Sequence, residues 1–275
     1  MTVQTALQQG SRLLEDAGVA VPRLTAEVLL CHALGRERSY LYSHPEAELE
    51  DVARIHYGRY LHERLQGKPT QYITRRQEFY GREFVVSPDV LIPRPETEHV
   101  VEAALALNSR IHRVVDVGCG SGAIAVTLRL EMGCQVWGTD VSLAALKVAA
   151  ANAARLDAPV HFIACDLASA LGARTMDLVV SNPPYVALSD EAGLQREVRD
   201  WEPHVALFAG QTGLEIYARL LAEAERVLRP GGALIVELGF KTCDHVRAML
   251  GPVWQDVQVK PDLAGIPRVL AARLE

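Results

Sequence analysis

Cysteine is sparse and shows no metal or disulfide pattern. Cys31, Cys119, Cys134, Cys165 and Cys243 are odd in number and form no paired C-x-x-C spacing, which argues against a disulfide framework and a zinc site. They read as reduced core or loop residues, and no metal is expected. An excess of positive charge is also missing. With 28 Lys and Arg against 34 Asp and Glu, the net charge is -6 and the pI about 5.9, so no global basic field supports nonspecific nucleic-acid affinity. No long uncharged apolar run occurs, and the N-terminus lacks a basic stretch followed by an apolar core. A cytoplasmic protein is therefore expected, with no membrane partner and no stable nucleic-acid partner. The phosphate-binding pattern G-x-x-x-x-G-K-[ST] is absent, which disfavours a nucleoside triphosphate. What is present is ordinary for a folded chain: 275 residues, 49% of them hydrophobic, suffice for one small and one larger domain.

The first part of the chain is helical in texture. Val3, Ala6, Leu7, Gly10, Leu13 and Leu14 recur at helical spacing, and Ala26, Leu29, Leu30, Ala33 and Leu34 do so again, with Thr25 as expected N-cap and Gly35 as terminator. A break at His44-Pro45 precedes a third helical stretch over 47–65. Residues 78–90 alternate and turn at Tyr80-Gly81-Arg82 and Ser87-Pro88-Asp89, which reads as a hairpin. The expected division is a helical substrate-recognition domain over 1–74, a hairpin linker over 75–93 and an α/β domain over 94–275. In that last part, a helix over 97–106 leads into strands at 112–117, 135–140, 160–165, 176–181 and 233–238, separated by helical segments. Two further strands, 257–260 and 268–273, make one edge an antiparallel pair. The pattern predicts a doubly wound sheet of seven strands.

Chemistry gathers at the ends of those strands. The first runs into Asp116-Val117-Gly118-Cys119-Gly120-Ser121-Gly122, whose alternating glycines permit a tight turn and close approach of a ligand to a helix N-terminus. The second ends in Asp140, about 20 residues on, where an acid holds the two hydroxyls of a ribose. The third ends in Asp166-Leu167, an acceptor for an adenine amino group and an apolar wall for its ring. A nucleoside without phosphates fits this set. The fourth strand ends in Asn182-Pro183-Pro184-Tyr185. The Asn182 side-chain oxygen and the Pro183 carbonyl are two acceptors for the hydrogens of one planar NH2 group, and the Tyr185 ring lies against its plane. By themselves these four residues serve equally as a strand followed by a proline-rich turn. His161 and His204 read as structural, and Glu237 and Asp262 as structural or rim residues.

Taken together, Asp116 to Gly122, Asp140, Asp166 and Asn182-Pro183-Pro184-Tyr185 resemble the motifs of class I S-adenosylmethionine-dependent methyltransferases that modify planar NH2 groups. Gly67 to Ile73, Phe79-Tyr80-Gly81, Leu91 to Glu98, Glu202-Pro203 with Ala206-Leu207, Gly213-Leu214 and Gly265 to Arg268 extend the likeness along nearly the whole chain. With them the sequence resembles the peptide chain release factor glutamine methyltransferases, the PrmC/HemK family. The resemblance implies the class I methyltransferase fold and S-adenosyl-L-methionine bound by Asp116, Gly118, Cys119, Gly120, Ser121, Gly122, Asp140, Asp166, Leu167 and Asn182. It implies methylation of the glutamine amide in the Gly-Gly-Gln segment of release factors by a monomer. Asn182, Pro183, Pro184 and Tyr185 would hold the amide. Arg94, Glu96, Thr97 and Glu98 would lie beside cofactor and substrate, with Phe79 as an apolar wall; Thr97 and its acidic neighbours fit a helix N-cap as well. A DNA or RNA amino-methyltransferase uses the same tetrapeptide, and a non-catalytic module could keep the fold to dock partners.

Overall fold

The computed structural model describes residues 1–107 and 110–275, which form two compact units: Met1–Arg76 with Gln195–Trp201, and Gln77–Leu194 with Glu202–Glu275. The first unit is built on α1 (Val3–Asp16), α2 (Pro22–Leu34), α3 (Arg38–Ser43), α4 (Asp51–Leu65) and α5 (Thr70–Thr74). Thr2 caps α1, its hydroxyl accepting from the Thr5 amide at 3.2 Å. Val3, Ala6, Leu7, Gly10 and Leu14 form the buried stripe of α1, whereas Leu13, read as part of it, is 50% exposed. Helix α2 starts earlier than its composition suggested. Pro22 occupies the first turn, where a missing N–H costs nothing, and the expected cap Thr25 lies inside the helix, buried. Gly35 ends α2 in a left-handed conformation, as read from the sequence. Helices α3 and α5 are too short to leave a periodic signature.

The second unit opens with a hairpin of β1 (Arg76–Phe79) and β2 (Arg82–Val85). Its side chains Phe79 and Phe84 are fully buried and meet edge to face with centroids 6.1 Å apart, inside the main core. The hairpin read as a linker thus contributes its two aromatics to the larger unit. A 3-10 turn over Pro95–Thr97 precedes α6 (Glu98–Leu105), and then come β3 (Arg113–Val117), α7 (Ala123–Met132), β4 (Gln135–Asp140), α8 (Leu143–Arg155), β5 (His161–Ala164) and β6 (Met176–Ser181). After β7 (Val186–Ala187) the chain forms α9 (Arg196–Trp201), which belongs to the first unit: Glu197 pairs with Arg64 at 2.5 Å, and the Lys68 ammonium sits 5.8 Å from the Trp201 ring centroid. Sequence periodicity gave no hint of this insertion. The order continues with α10 (His204–Leu207), β8 (Phe208–Gly210), α11 (Glu215–Val227), β9 (Leu228–Glu237), α12 (Cys243–Ala248), β10 (Trp254–Pro261) and β11 (Pro267–Leu274).

Seven strands form one sheet in the order β10-β11-β9-β6-β3-β4-β5. β5, β4, β3, β6 and β9 run parallel, and β11 and β10 complete the sheet antiparallel, so the expected doubly wound fold with one antiparallel edge is present. Alternation along the strands makes two cores. Val114, Val136, Leu178 and Ile235 face α6, α7 and the hairpin, while Val115, Val117, Val179 and Leu234 face α11 and α12. One difference from the sequence reading is the start of β9. Arg229-Pro230-Gly231-Gly232, read as a turn, lies within the strand, which pairs Leu228 with Met176 and then shifts register before Leu178. An irregularity of this kind lets proline and glycine sit inside a ladder.

Candidate active site

The order of the strands reverses at β3, from which the chain winds first to β4 and β5 and then back to β6 and β9. A crevice therefore opens at the carboxyl ends of β3, β4 and β6. Asp116 is level with Val180 across the β3–β6 pair, and the Ser181 hydroxyl donates to the Val117 carbonyl at 2.6 Å. The glycine loop and Asn182 consequently leave the sheet side by side.

The loop is held by its neighbours. The Gly118 and Cys119 amides both donate to the Thr139 carbonyl, at 2.8 and 2.9 Å, and Gly118, Gly120 and Gly122 take φ of 72°, 53° and 80°, a region costly for any other residue. At Gly122 an added Cβ would also press on Ala149 of α8 at 3.1 Å. Asp140 closes the loop: one carboxylate oxygen accepts from the Gly120 amide at 2.9 Å and the other from Ser142 at 2.8 Å. Each oxygen keeps a second lone pair for a ligand hydroxyl. Cys119 and Ser121 are buried; the Cys119 side chain packs on Leu146, Ala149 and Phe162, and burial pushes its thiol well up, leaving its backbone as the part the loop uses.

Asp116 has no exposed surface. One oxygen accepts from the Ala125 amide at 3.0 Å, while the other, Oδ1, is buried without a protein partner. Burial pushes the carboxyl up to about 7, against the lowering effect of the Ala125 bond and with Asp140 adding to the rise. An orphaned carboxylate oxygen at the base of a glycine loop suits a ligand bearing an ammonium group, as the methionine end of S-adenosylmethionine does. At the third strand end, Asp166 is exposed and pairs with Arg219 of α11, and Leu167 is partly buried with φ of 50°.

On the other side of the crevice, Asn182 donates its side-chain N–H to the Thr97 hydroxyl at 3.0 Å, and that hydroxyl donates to Glu237 Oε2 at 2.6 Å. Thr97 makes no capping bond at the start of α6, so its hydroxyl serves this contact instead of the helix end. Burial pushes the Glu237 carboxyl up to about 7, with Thr97 and Arg268 opposing the rise. Pro183 is buried and Pro184 half-buried. The Tyr185 side chain packs against Gly239, where an added Cβ would come within 2.7 Å of the ring. Burial, with Glu237 next in effect, pushes its phenol up to about 12.

The pre-sheet segment divides. Arg94 donates to Glu202 at 2.5 Å, and Glu202 also accepts from the Ile92 amide at 3.2 Å, which anchors the loop. Glu98 accepts from the Tyr80 amide at 2.7 Å, and Glu96 is exposed. Phe79, expected as an apolar wall, lies instead in the core with no exposed surface, because the hairpin turns it inward. Asp262 holds the β10–β11 turn through Ala264, Ile266 and Arg268, a structural role. The residue that sequence reasoning missed is Asn152 of α8. Its carboxamide accepts from the Val85 amide at 2.8 Å and donates to the Val85 and Ser121 carbonyls at 2.9 and 3.0 Å, tying hairpin to glycine loop. An Asn amid alanines in a helix was the only available signal.

The chain is similar to known proteins over nearly its whole length. A family described as the PrmC N-terminal domain matches residues 5–74, and one described as the methyltransferase small domain matches residues 99–197. The release factor glutamine methyltransferase of Koribacter versatilis is 46% identical over 99% of this chain and 99% of its own length. That of Nitratidesulfovibrio vulgaris is 42% identical, over 99% and 95%. Among solved structures, a methyltransferase from Pyrococcus furiosus shares the fold with a TM-score of 0.54 at 18% identity, covering 71% of this chain and 90% of that one.

Proposed function

The chain belongs to the release factor glutamine methyltransferase family, and from that premise we propose that it methylates the side-chain amide nitrogen of the glutamine in a Gly-Gly-Gln segment of release factors. The observation that carries the reading is the polarity of Asn182. Its N–H is engaged by Thr97, which leaves its oxygen as an acceptor beside the glycine loop. That oxygen and the Pro183 carbonyl receive the two hydrogens of the substrate amide, and Tyr185 packs on the amide plane.

Such an amide is a poor nucleophile because its lone pair is delocalised into the carbonyl. When bound, S-adenosylmethionine supplies a methyl on a sulfonium, which needs no further activation. Asp116 Oδ1 and the Asp140 carboxylate would hold it, with Asp166 and Leu167 at the adenine end. The protein's work is then alignment. The same two acceptors stabilise the positive charge that grows on the nitrogen as its new bond forms, and the surplus proton leaves to water. With its phenol high and no base required, Tyr185 keeps the amide from rotating. The helical unit and the hairpin are assigned to grip the release factor.

The test is transfer of label from S-adenosylmethionine to purified release factor, with tRNA, rRNA and DNA as alternatives. Label is expected in the protein, and label confined to nucleic acid would overturn the reading. Asn182→Ala is expected to abolish transfer while cofactor affinity, measured by calorimetry, stays within about threefold; a variant with near-normal turnover would remove Asn182 from the mechanism.

A further inference from the structure

We propose that Thr97 and Glu237 are positioning residues which set the direction of the Asn182 carboxamide, and through it the preference of the site for an NH2 group. This rests on the role given above to Asn182. A carboxamide has two nearly isosteric ends, one donor and one acceptor, and only the acceptor end can receive an amide hydrogen. Shape alone does not choose between them. Hydrogen bonding does.

The Thr97 hydroxyl carries a single hydrogen. Glu237 Oε2, 2.6 Å away, is the acceptor that takes it once the carboxyl, raised by burial to about 7, is ionised, since a carboxylate has nothing to donate. What the hydroxyl offers to Asn182 at 3.0 Å is therefore a lone pair, which only the NH2 end of the carboxamide can use. With the ends exchanged, two oxygen lone pairs would face each other in a site where Thr97 is 4% exposed and Glu237 1% exposed. With Glu237 ionised, the donor end is thus held toward Thr97 and the oxygen toward the substrate.

Glu237 is itself fixed. It ends β9 and its backbone carbonyl accepts from the Tyr217 hydroxyl at 2.8 Å, while that hydroxyl in turn accepts from the Gly239 amide at 3.1 Å. Thr97 gives up capping α6 to make the chain, and a buried acid is maintained at the end of a central strand. Neither feature is explained by packing. Both follow if the direction of hydrogen bonding at Asn182 is what the arrangement sustains. A site so poled accepts a glutamine NH2 and disfavours a glutamate carboxylate, which would meet the Asn182 oxygen with oxygen.

The test uses the full chain with purified release factor and labelled S-adenosylmethionine. Thr97→Val, isosteric and without the hydroxyl, is expected to lower kcat roughly 10- to 100-fold while KM for release factor and cofactor affinity change less than about threefold. Thr97→Ser is expected to restore most of the rate. Glu237→Gln can offer Thr97 either end of its own carboxamide, so its kcat is expected to fall between wild type and Thr97→Val. Adding Thr97→Val to Asn182→Ala is expected to lower the residual rate no further, because both act through one group. Wild-type kcat in Thr97→Val alongside an inactive Asn182→Ala would overturn the positioning role and leave that of Asn182 intact. Activity retained in Asn182→Ala would instead overturn the reading on which both rest. A Thr97→Val defect spread equally over cofactor affinity, or not rescued by serine, would make Thr97 a structural residue and refute the proposal.

Discussion

A single carboxamide, Asn152, joins three parts of the larger unit that are distant in sequence. It satisfies both backbone groups of Val85 in the hairpin and the carbonyl of Ser121 in the glycine loop, and it is fully buried. Removing it leaves the buried Ser121 carbonyl and the part-buried backbone groups of Val85 without these partners. Asn152→Ala is expected to cost roughly 2–3 kcal/mol in denaturant unfolding. It should also weaken S-adenosylmethionine binding, because Ser121 is set by it; unchanged affinity in calorimetry would confine Asn152 to stability. The residues legible in the sequence were those whose chemistry is carried by a local motif: the glycine loop, the strand-end acids and the Asn-Pro-Pro-Tyr turn. Asn152 was missed, and Thr97 and Glu237 were legible only in part, since each works through a partner far along the chain.

At the scale of elements, the crossing of α1 and α4 depends on Gly10. An added Cβ would overlap the Tyr57 hydroxyl, and that hydroxyl is buried without a hydrogen-bond partner. Two opposed effects meet here. Alanine is favoured over glycine in a helix by about 1 kcal/mol, and the steric conflict with a rigid ring costs about 1–3 kcal/mol. Gly10→Ala alone is expected to lower Tm. Combining it with Tyr57→Phe removes the hydroxyl overlap and the unsatisfied group but leaves the ring carbon Cζ 2.9 Å from the added Cβ, so the double variant is expected to melt above Gly10→Ala. A Tm for the double variant below that of Gly10→Ala would show that the hydroxyl has a partner in solution. Long elements with clear periodicity, such as α1 and the strands, were read with few errors. Those that depend on a remote surface were not: α3, α5 and α9 carry 6, 5 and 6 residues, too few to display a period.

For the whole molecule, the buried acids set a pH dependence of stability. Asp116 and Glu237 are both raised to about 7 from ordinary values of 3.8 and 4.5. A carboxyl raised in the folded state favours folding most below its unfolded value and loses that advantage as pH rises through its folded value. These two therefore oppose the folded state increasingly from about pH 4 to pH 7. Glu27 has the opposite sign: burial raises it, but hydrogen bonds from Tyr42, Arg38 and Arg23 outweigh burial and hold it low, so its contribution is lost on acidification. Glu237→Gln, which keeps the shape without the charge, is expected to stabilise the protein by up to roughly 3 kcal/mol at pH 8, shrinking toward zero as the pH falls to 4. Unfolding curves across that range check it, and a gain independent of pH would show that Glu237 is not the titrating group.

Hydrophobic period and turn chemistry determined the helical first part, the strand alternation and the antiparallel edge, because each is written over a few consecutive residues and follows from backbone geometry alone. The Gly-rich and Asn-Pro-Pro-Tyr motifs likewise announced a nucleoside-type ligand and an NH2 acceptor. Tertiary structure decided what no local rule reaches. It turned Phe79 into the core, carried 195–201 back to the helical unit, and brought the hydroxyl of Thr97 between Asn182 and Glu237, which lie 85 and 140 residues further along the chain. Local sequence specifies which groups a segment can offer. Only the strand order, which places the ends of β6 and β9 next to each other, decides which offers meet and in which direction their hydrogens point.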